Sequence, residues 1–359
     1  MAMMAMAPGD RAPTNVVLAA GAPEAAEAAA SAEAGALPLR RGAVGDAVSD
    51  LQLRLVQLGH GIGDDSVGVF GPGTECAVRG FQQQRGLRVD GVCGRQTWSA
   101  VVEAGFSLGD RVLYRRSPML HGDDVADLQR RLAALGFDAG RVDGIFGDRT
   151  GRALAEFQRN VGISADGICG PRSVAELVRL GFHPSGWDLV TTIRERLRAK
   201  ERPATLRGRH VAVGEEGGFS VGVRAACRAL SGVGALPVAL HHPDSAEQAA
   251  AANLAEVDCY LGLRLEPDHD EVRTFYYRGY RYESAPSRKL AELLQEALVP
   301  ALQLADGGSA GMALPILRET QMPAVLIELG APNRVATKLV DLATAIVRSL
   351  DLWMTVDWE

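Results

Sequence analysis

Apolar residues recur every three or four positions in two separate stretches of the chain, with charged residues between them. Val48, Leu51, Leu55 and Leu58 form the first stripe, and Val125, Leu128, Leu132 and Leu135 the second. That spacing is one face of an α-helix. Gly59 and Gly136 follow as helix stops. Asp46 and Asp123 precede each stripe, where a carboxylate is expected to cap the helix N-terminus. A Phe-Gly-x-x-Thr step ending at Thr74 and Thr150 starts a second helix, whose apolar face closes on Phe81 and Phe157. An Asp-Gly-x-Cys-Gly step, beginning at Asp90 and Asp166, turns the chain into a third. Each unit therefore reads as three helices, with Leu51, Leu55 and Phe81 buried in the first as Leu128, Leu132 and Phe157 are in the second. Further on, Leu189, Ile193 and Leu197 stand four apart among charges and predict an amphipathic helix over 187–201, stopped by Pro203.

Beyond residue 205 short apolar runs alternate with helical patterns. Strands are predicted over 210–213, 237–240, 258–265, 273–277 and 324–328, and helices over 221–230, 245–255, 288–304 and 334–350. Such alternation implies one mixed sheet with helices on both faces. The expected organisation is multidomain. A disordered tail (1–37) precedes two small all-α repeats (38–112 and 113–183), a linker helix (184–204), an α/β domain (205–352) and a short tail (353–359).

Composition narrows the function. The net charge of −6 and a pI near 5.7 argue against a nucleic-acid binder. No apolar run reaches the ~18 residues of a membrane span. The five cysteines are odd in number and contain no CxxC, so free thiols are expected rather than a disulfide framework or a cysteine zinc site. The N-terminus lacks the basic start and apolar run of an export signal. A cytoplasmic location is expected, with secretion to the cell wall as the alternative.

The helical units resemble the peptidoglycan-binding domain 1 family in their V-x-x-L-Q-x-x-L, F-G-x-x-T, F-Q and D-G-x-x-G steps. The second copy also carries the family's Asp143-Gly144, where the first has Val67-Gly68. The resemblance makes Gln82, Gln158, Asp90, Asp143 and Asp166 candidate binding residues, beside the alternative that they are turn and helix chemistry. The C-terminal domain resembles the zinc-dependent N-acetylmuramoyl-L-alanine amidases of the amidase-3 family. LRETQMPAVLIELGAPN over 317–333 and TFYYRGYRYESAPSRKLAE over 274–292 carry the likeness, with Ala252-Asn253 before Asp258.

That family holds zinc with a histidine, a glutamate and a second histidine, and a further glutamate handles protons. Matched position by position, Glu216 stands for the first histidine, in Glu216-Gly217-Gly218, and Arg264 for the second. The loop that carries the ligand glutamate is nearly absent. Only the proton-handling position survives, as Glu328. Arginine stays protonated and does not ligate zinc. His241, His242 and Asp244 read as exposed loop residues without zinc spacing. The match therefore implies no bound metal, and an Arg264–Glu328 ion pair, joined by Glu216, in its place.

Two readings follow. In one, a non-catalytic amidase-like protein binds peptidoglycan or its precursor, or a cytoplasmic cell-wall synthesis enzyme, and regulates peptidoglycan synthesis. Actinobacterial proteins of the same two-repeat layout have that association. In the other, a divergent zinc amidase cuts the bond between muramic acid and L-alanine.

Overall fold

The computed structural model describes residues 37–181, 205–280 and 282–356. The expected tail over 1–37, save its last residue, and the predicted helix over 187–201 lie outside the described residues.

Each repeat is a three-helix unit. The first holds α1 (Asp46–Gln57), α2 (Pro72–Arg85) and α3 (Arg95–Ala104), and the second α4 (Asp123–Ala134), α5 (Asp148–Asn160) and α6 (Pro171–Arg179). Leu51, Leu55 and Phe81 are fully buried, as are Leu128, Leu132 and Phe157. Short antiparallel bridges clip the loops: Leu39 with Cys93 and Val44 with Val69, then Leu113 with Cys169 and His121 with Ile145. Asp46 and Asp123 do not cap their helices. The N-caps are Gly45 and Gly122, without side-chain capping bonds, and the aspartates occupy the first turn. Gly45 sits at φ +135°, a conformation that disfavours a side chain and explains the glycine. The aspartates still complement the helix dipole there, and Asp123 is drawn off to Arg85.

Six strands form the sheet of the α/β domain, in the order β2-β1-β3-β6-β4-β5. They are β1 (His210–Glu215), β2 (Leu236–His241), β3 (Cys259–Leu265), β4 (Glu271–Tyr277), β5 (Ala305–Met312) and β6 (Ala324–Leu329). Neighbours are parallel except β4 against β6. Helices α7 (Ser220–Gly232), α9 (Ala285–Leu302) and α12 (Leu339–Thr355) cover one face. Helices α8 (Ser245–Leu254) and α10 (Pro315–Glu319) cover the other.

Three sequence expectations are corrected. Strand β5 was absent from the predicted elements, because its glycine-rich, half-exposed residues lack apolar alternation. The closing helix is two, α11 (Pro332–Thr337) and α12, broken at Lys338. The domain also extends past 352, since α12 runs through Thr355. Trp353 is 2% exposed and donates its indole N–H to the Pro286 carbonyl.

Both repeats dock on the α/β domain at one edge of the sheet. Ala313, just after β5, donates its N–H to the Gly86 carbonyl at 2.7 Å and packs on the first repeat's core. Arg318 on α10 pairs with Glu103 of α3 at 2.8 Å, and Arg141 of the second repeat donates to the Thr320 carbonyl. Because β4 runs against β6, the ends of β4 and β5 emerge opposite the C-terminal ends of β1, β3 and β6. The repeats thus sit at the opposite end of the sheet from Glu216, Arg264 and Glu328.

Candidate functional site

Side chains alternate across a sheet, and this parity assembles the site. Ala212, Tyr260, Ala324 and Leu326 pack on the α8–α10 face. Continuing the alternation puts Glu216, Arg264 and Glu328 on that same face, at the C-terminal ends of β1, β3 and β6. Arg264 and Glu328 are direct register partners. The guanidinium reaches both carboxylates: one nitrogen donates to Glu328 Oε1 at 3.0 Å and another to Glu216 Oε2 at 2.5 Å. Ser245, at the start of α8, donates its hydroxyl to the other oxygen of Glu216 at 2.5 Å. Burial would lower the Arg264 pKa, but Glu216 and then Glu328 outweigh it and leave the guanidinium raised.

The cluster is only partly buried. The side chains of Arg264, Glu216 and Glu328 are 28%, 23% and 16% exposed, so water screens part of their attraction.

Beneath it lies a floor that sequence reasoning missed. The Tyr260 hydroxyl donates to Gln248 Oε1 at 2.9 Å, and the Gln248 amide donates to the carbonyls of Glu215 and His242. A Cβ on Gly214 would stand 2.3 Å from the Gln248 oxygen and 2.4 Å from the Tyr260 hydroxyl, so only glycine fits. Gly214 and Gly262 inside strands were the available signal, since strand glycines mark close approach.

His241 does not join the cluster. It pairs with Glu215 in the β1–β2 register, and parity turns both toward the opposite face. The His241 Nδ1 lies 3.0 Å from Glu215 Oε1, while Glu215 Oε2 accepts from the Gly217 and Phe219 N–H groups. Burial raises the Glu215 carboxyl, and the Phe219 and His241 bonds more than reverse it, leaving it lowered. His242 and Asp244 are exposed, and the Asp244 carboxylate caps α8.

These residues do not fit zinc. A fixed cation, the Arg264 guanidinium, lies between the two carboxylates of the cluster and engages both, and arginine stays protonated and does not ligate a metal. Among the described residues no three His, Cys, Asp or Glu side chains converge.

The candidate binding residues of the repeats are engaged internally. The Gln82 amide nitrogen donates to Asp90, the Val92 carbonyl and Thr97, and its oxygen accepts from Gly91. Gln158 repeats this with Asp166, the Ile168 carbonyl, Ser173 and Gly167. Gln129 does the same with Asp143, the Ile145 carbonyl, Thr150 and Gly144. In the first repeat, which lacks that aspartate, Gln52 bonds the Ser66 and Val69 carbonyls, Thr74 and Gly68. Each glutamine is buried and saturated, and ties a turn to a helix start. Bonds from the Ile168 N–H and Gln158 lower the Asp166 pKa, whereas burial raises that of Asp143.

The chain thus joins two three-helix units to an α/β domain with a mixed sheet, and comparisons with known proteins place both parts. Residues 44–101 and 121–177 match the putative peptidoglycan binding domain family, and residues 238–342 match the N-acetylmuramoyl-L-alanine amidase family. The chain belongs to the N-acetylmuramoyl-L-alanine amidase family. It is 34% identical over 331 residues to N-acetylmuramoyl-L-alanine amidase CwlM of Mycobacterium tuberculosis, covering 81% of each chain. It is 32% identical over 174 residues to a probable N-acetylmuramoyl-L-alanine amidase of Bacillus licheniformis, covering 44% of this chain and 49% of that one. The solved amidase AmiC2 of Nostoc punctiforme aligns at 16% identity with a TM-score of 0.35, over 42% of this chain and 99% of that one.

Proposed function

We propose that this protein is a non-catalytic member of its family, which binds peptidoglycan precursor or a cell-wall synthesis enzyme and regulates peptidoglycan synthesis. The observation that carries the reading is the Arg264 guanidinium bridging Glu216 and Glu328. Amide hydrolysis in this family needs a metal to polarise the carbonyl and activate water. Here a positive charge is retained, but it is a hydrogen-bond donor with no open coordination position. Glu328 is held by a hydrogen bond from Arg264, which favours its charged form and engages the oxygen that would take a proton. A cytoplasmic location belongs to the same proposal. It is supported by five free cysteines, as expected in a reducing compartment.

The competing reading is a divergent zinc amidase, favoured by the surviving Glu328 and by the enzyme names of the relatives. Incubating the full chain with soluble muropeptides and added zinc separates the two. No release of stem peptide is expected. Release that stops on Glu328→Ala would establish the amidase instead.

A further inference from the structure

We propose that the cleft where both repeats meet the α/β domain binds a short peptide carrying a free ammonium and a free carboxylate. This goes beyond the proposed function and takes from it only the choice of probe. The cleft encloses about 460 Å³, within the roughly 300–1,000 Å³ usual for ligand sites. It lies at the edge of the sheet opposite Arg264, and each of the three folded units contributes to its wall.

Most charges in the wall cancel. Arg85 pairs with Asp123 through two hydrogen bonds, at 2.7 and 3.0 Å, and Glu103 pairs with Arg318. Two groups stand apart. The Glu319 side chain, half-buried at the end of α10, makes no hydrogen bond or ion pair among the described residues. Burial raises its pKa, and His121 and Arg318 are close enough only to moderate that. Arg95, exposed on the first turn of α3, is likewise without a partner among the described residues.

A partly desolvated carboxylate without a partner is unfavourable for the fold. Such a group makes sense where a ligand supplies the missing cation. An ammonium placed at Glu319 and a carboxylate placed at Arg95 would complete both. Ser99 and Gln96 add polar groups to the wall, and the half-exposed ring of Tyr280 adds an apolar surface for the peptide's side chains. A neutral sugar would leave both charges unpaired, and a phosphate would be repelled by Glu319.

The test is isothermal titration of the full chain with L-Ala-γ-D-Glu-meso-diaminopimelate. This peptide has free ammonium and carboxylate groups and no muramoyl amide to cleave. Saturable binding is expected. Glu319→Gln and Arg95→Ala should each weaken it by about tenfold, the range of one charge-assisted contact. Acetylating the peptide's amines should weaken it as much as Glu319→Gln does. Ser99→Trp, which fills the cleft, should abolish binding, while Arg348→Ala should leave it unchanged. Because Glu319 and Arg95 lack partners, their variants should melt no lower than wild type. Absence of binding at millimolar peptide, or binding indifferent to both charge variants, would overturn the proposal. Neither result bears on zinc or hydrolysis, which test the proposed function separately.

Discussion

Replacing Arg264 with alanine removes the one cation shared by two carboxylates. Glu216 and Glu328 would then flank the end of β3 from either side without the cation between them. An exposed ion pair contributes about 0–1 kcal/mol, and breaking a buried one costs about 3–5 kcal/mol. Arg264 lies between these limits, with 28% of its side chain exposed and two partners at 2.5 and 3.0 Å. We therefore expect a loss of about 2 kcal/mol. For a domain of 150–250 residues each kcal/mol moves Tm by roughly 2–4 °C, so the α/β transition should fall by about 4–8 °C. Circular dichroism melts read this directly. Arg348→Ala is the control, because that arginine is exposed and has no partner among the described residues. Arg264→Lys should fall between the two, since lysine keeps the charge but not the planar fork that spans two acceptors. High salt should narrow the gap between wild type and Arg264→Ala by screening the exposed part of the attraction. If Arg264→Ala melts like wild type, or shifts no more than Arg348→Ala, the bridge has no role in holding these strand ends together.

Three further outcomes follow from the geometry. Glu103 would be raised by burial, but Arg318 and His121 hold it down at about 2 from an ordinary 4.5. A lowered carboxylate stabilises above its unfolded pKa and loses that contribution as pH falls through the folded value. Docking of the first repeat should therefore weaken by about 3 kcal/mol between pH 5 and 2, and Glu103→Gln should remove that pH-dependence in melts monitored across the range. Gln158→Ala leaves the Gly167 N–H without its acceptor and removes one of three donors to the Ile168 carbonyl, which keeps the Gly170 N–H and the Ser173 hydroxyl; urea unfolding should show a loss of about 1–3 kcal/mol in the second repeat, and no loss would mean the knot is dispensable. Trp353→Ala should destabilise the α/β domain by about 3–5 kcal/mol, because the indole is buried and bonded to Pro286.

The helical units were legible because their information is local. Stripes such as Leu51–Leu55 and Leu128–Leu132 set the helix faces, and glycines mark the ends. The order of strands and helices was legible for the same reason, except where side chains carry no alternation, as in β5. The Arg264 cluster came from a match of positions with a known family; apolar periodicity contains nothing about it. Its exposure was not legible, because that depends on how the ends of β1, β3 and β6 meet the loops around them. The Tyr260–Gln248 floor left only the strand glycines Gly214 and Gly262 as a sign in the sequence, and the edge on which the repeats dock left none. Both depend on pairs far apart in the chain, such as Glu103 with Arg318, that only the folded sheet brings together. The capping expectation failed for a local reason. Glycine at φ +135° offers the chain a sharper entry into the helix than an aspartate at the cap would allow.

Under the proposed function the Arg264 guanidinium stands where family members hold a metal. The most direct measurement is the zinc-to-protein ratio of the full chain, by elemental analysis after incubation with excess zinc and desalting. A ratio far below one is expected, unchanged by Glu328→Ala. A near-equimolar ratio, lost on Glu328→Ala and matched by chelator-sensitive cleavage of muropeptides, would contradict it.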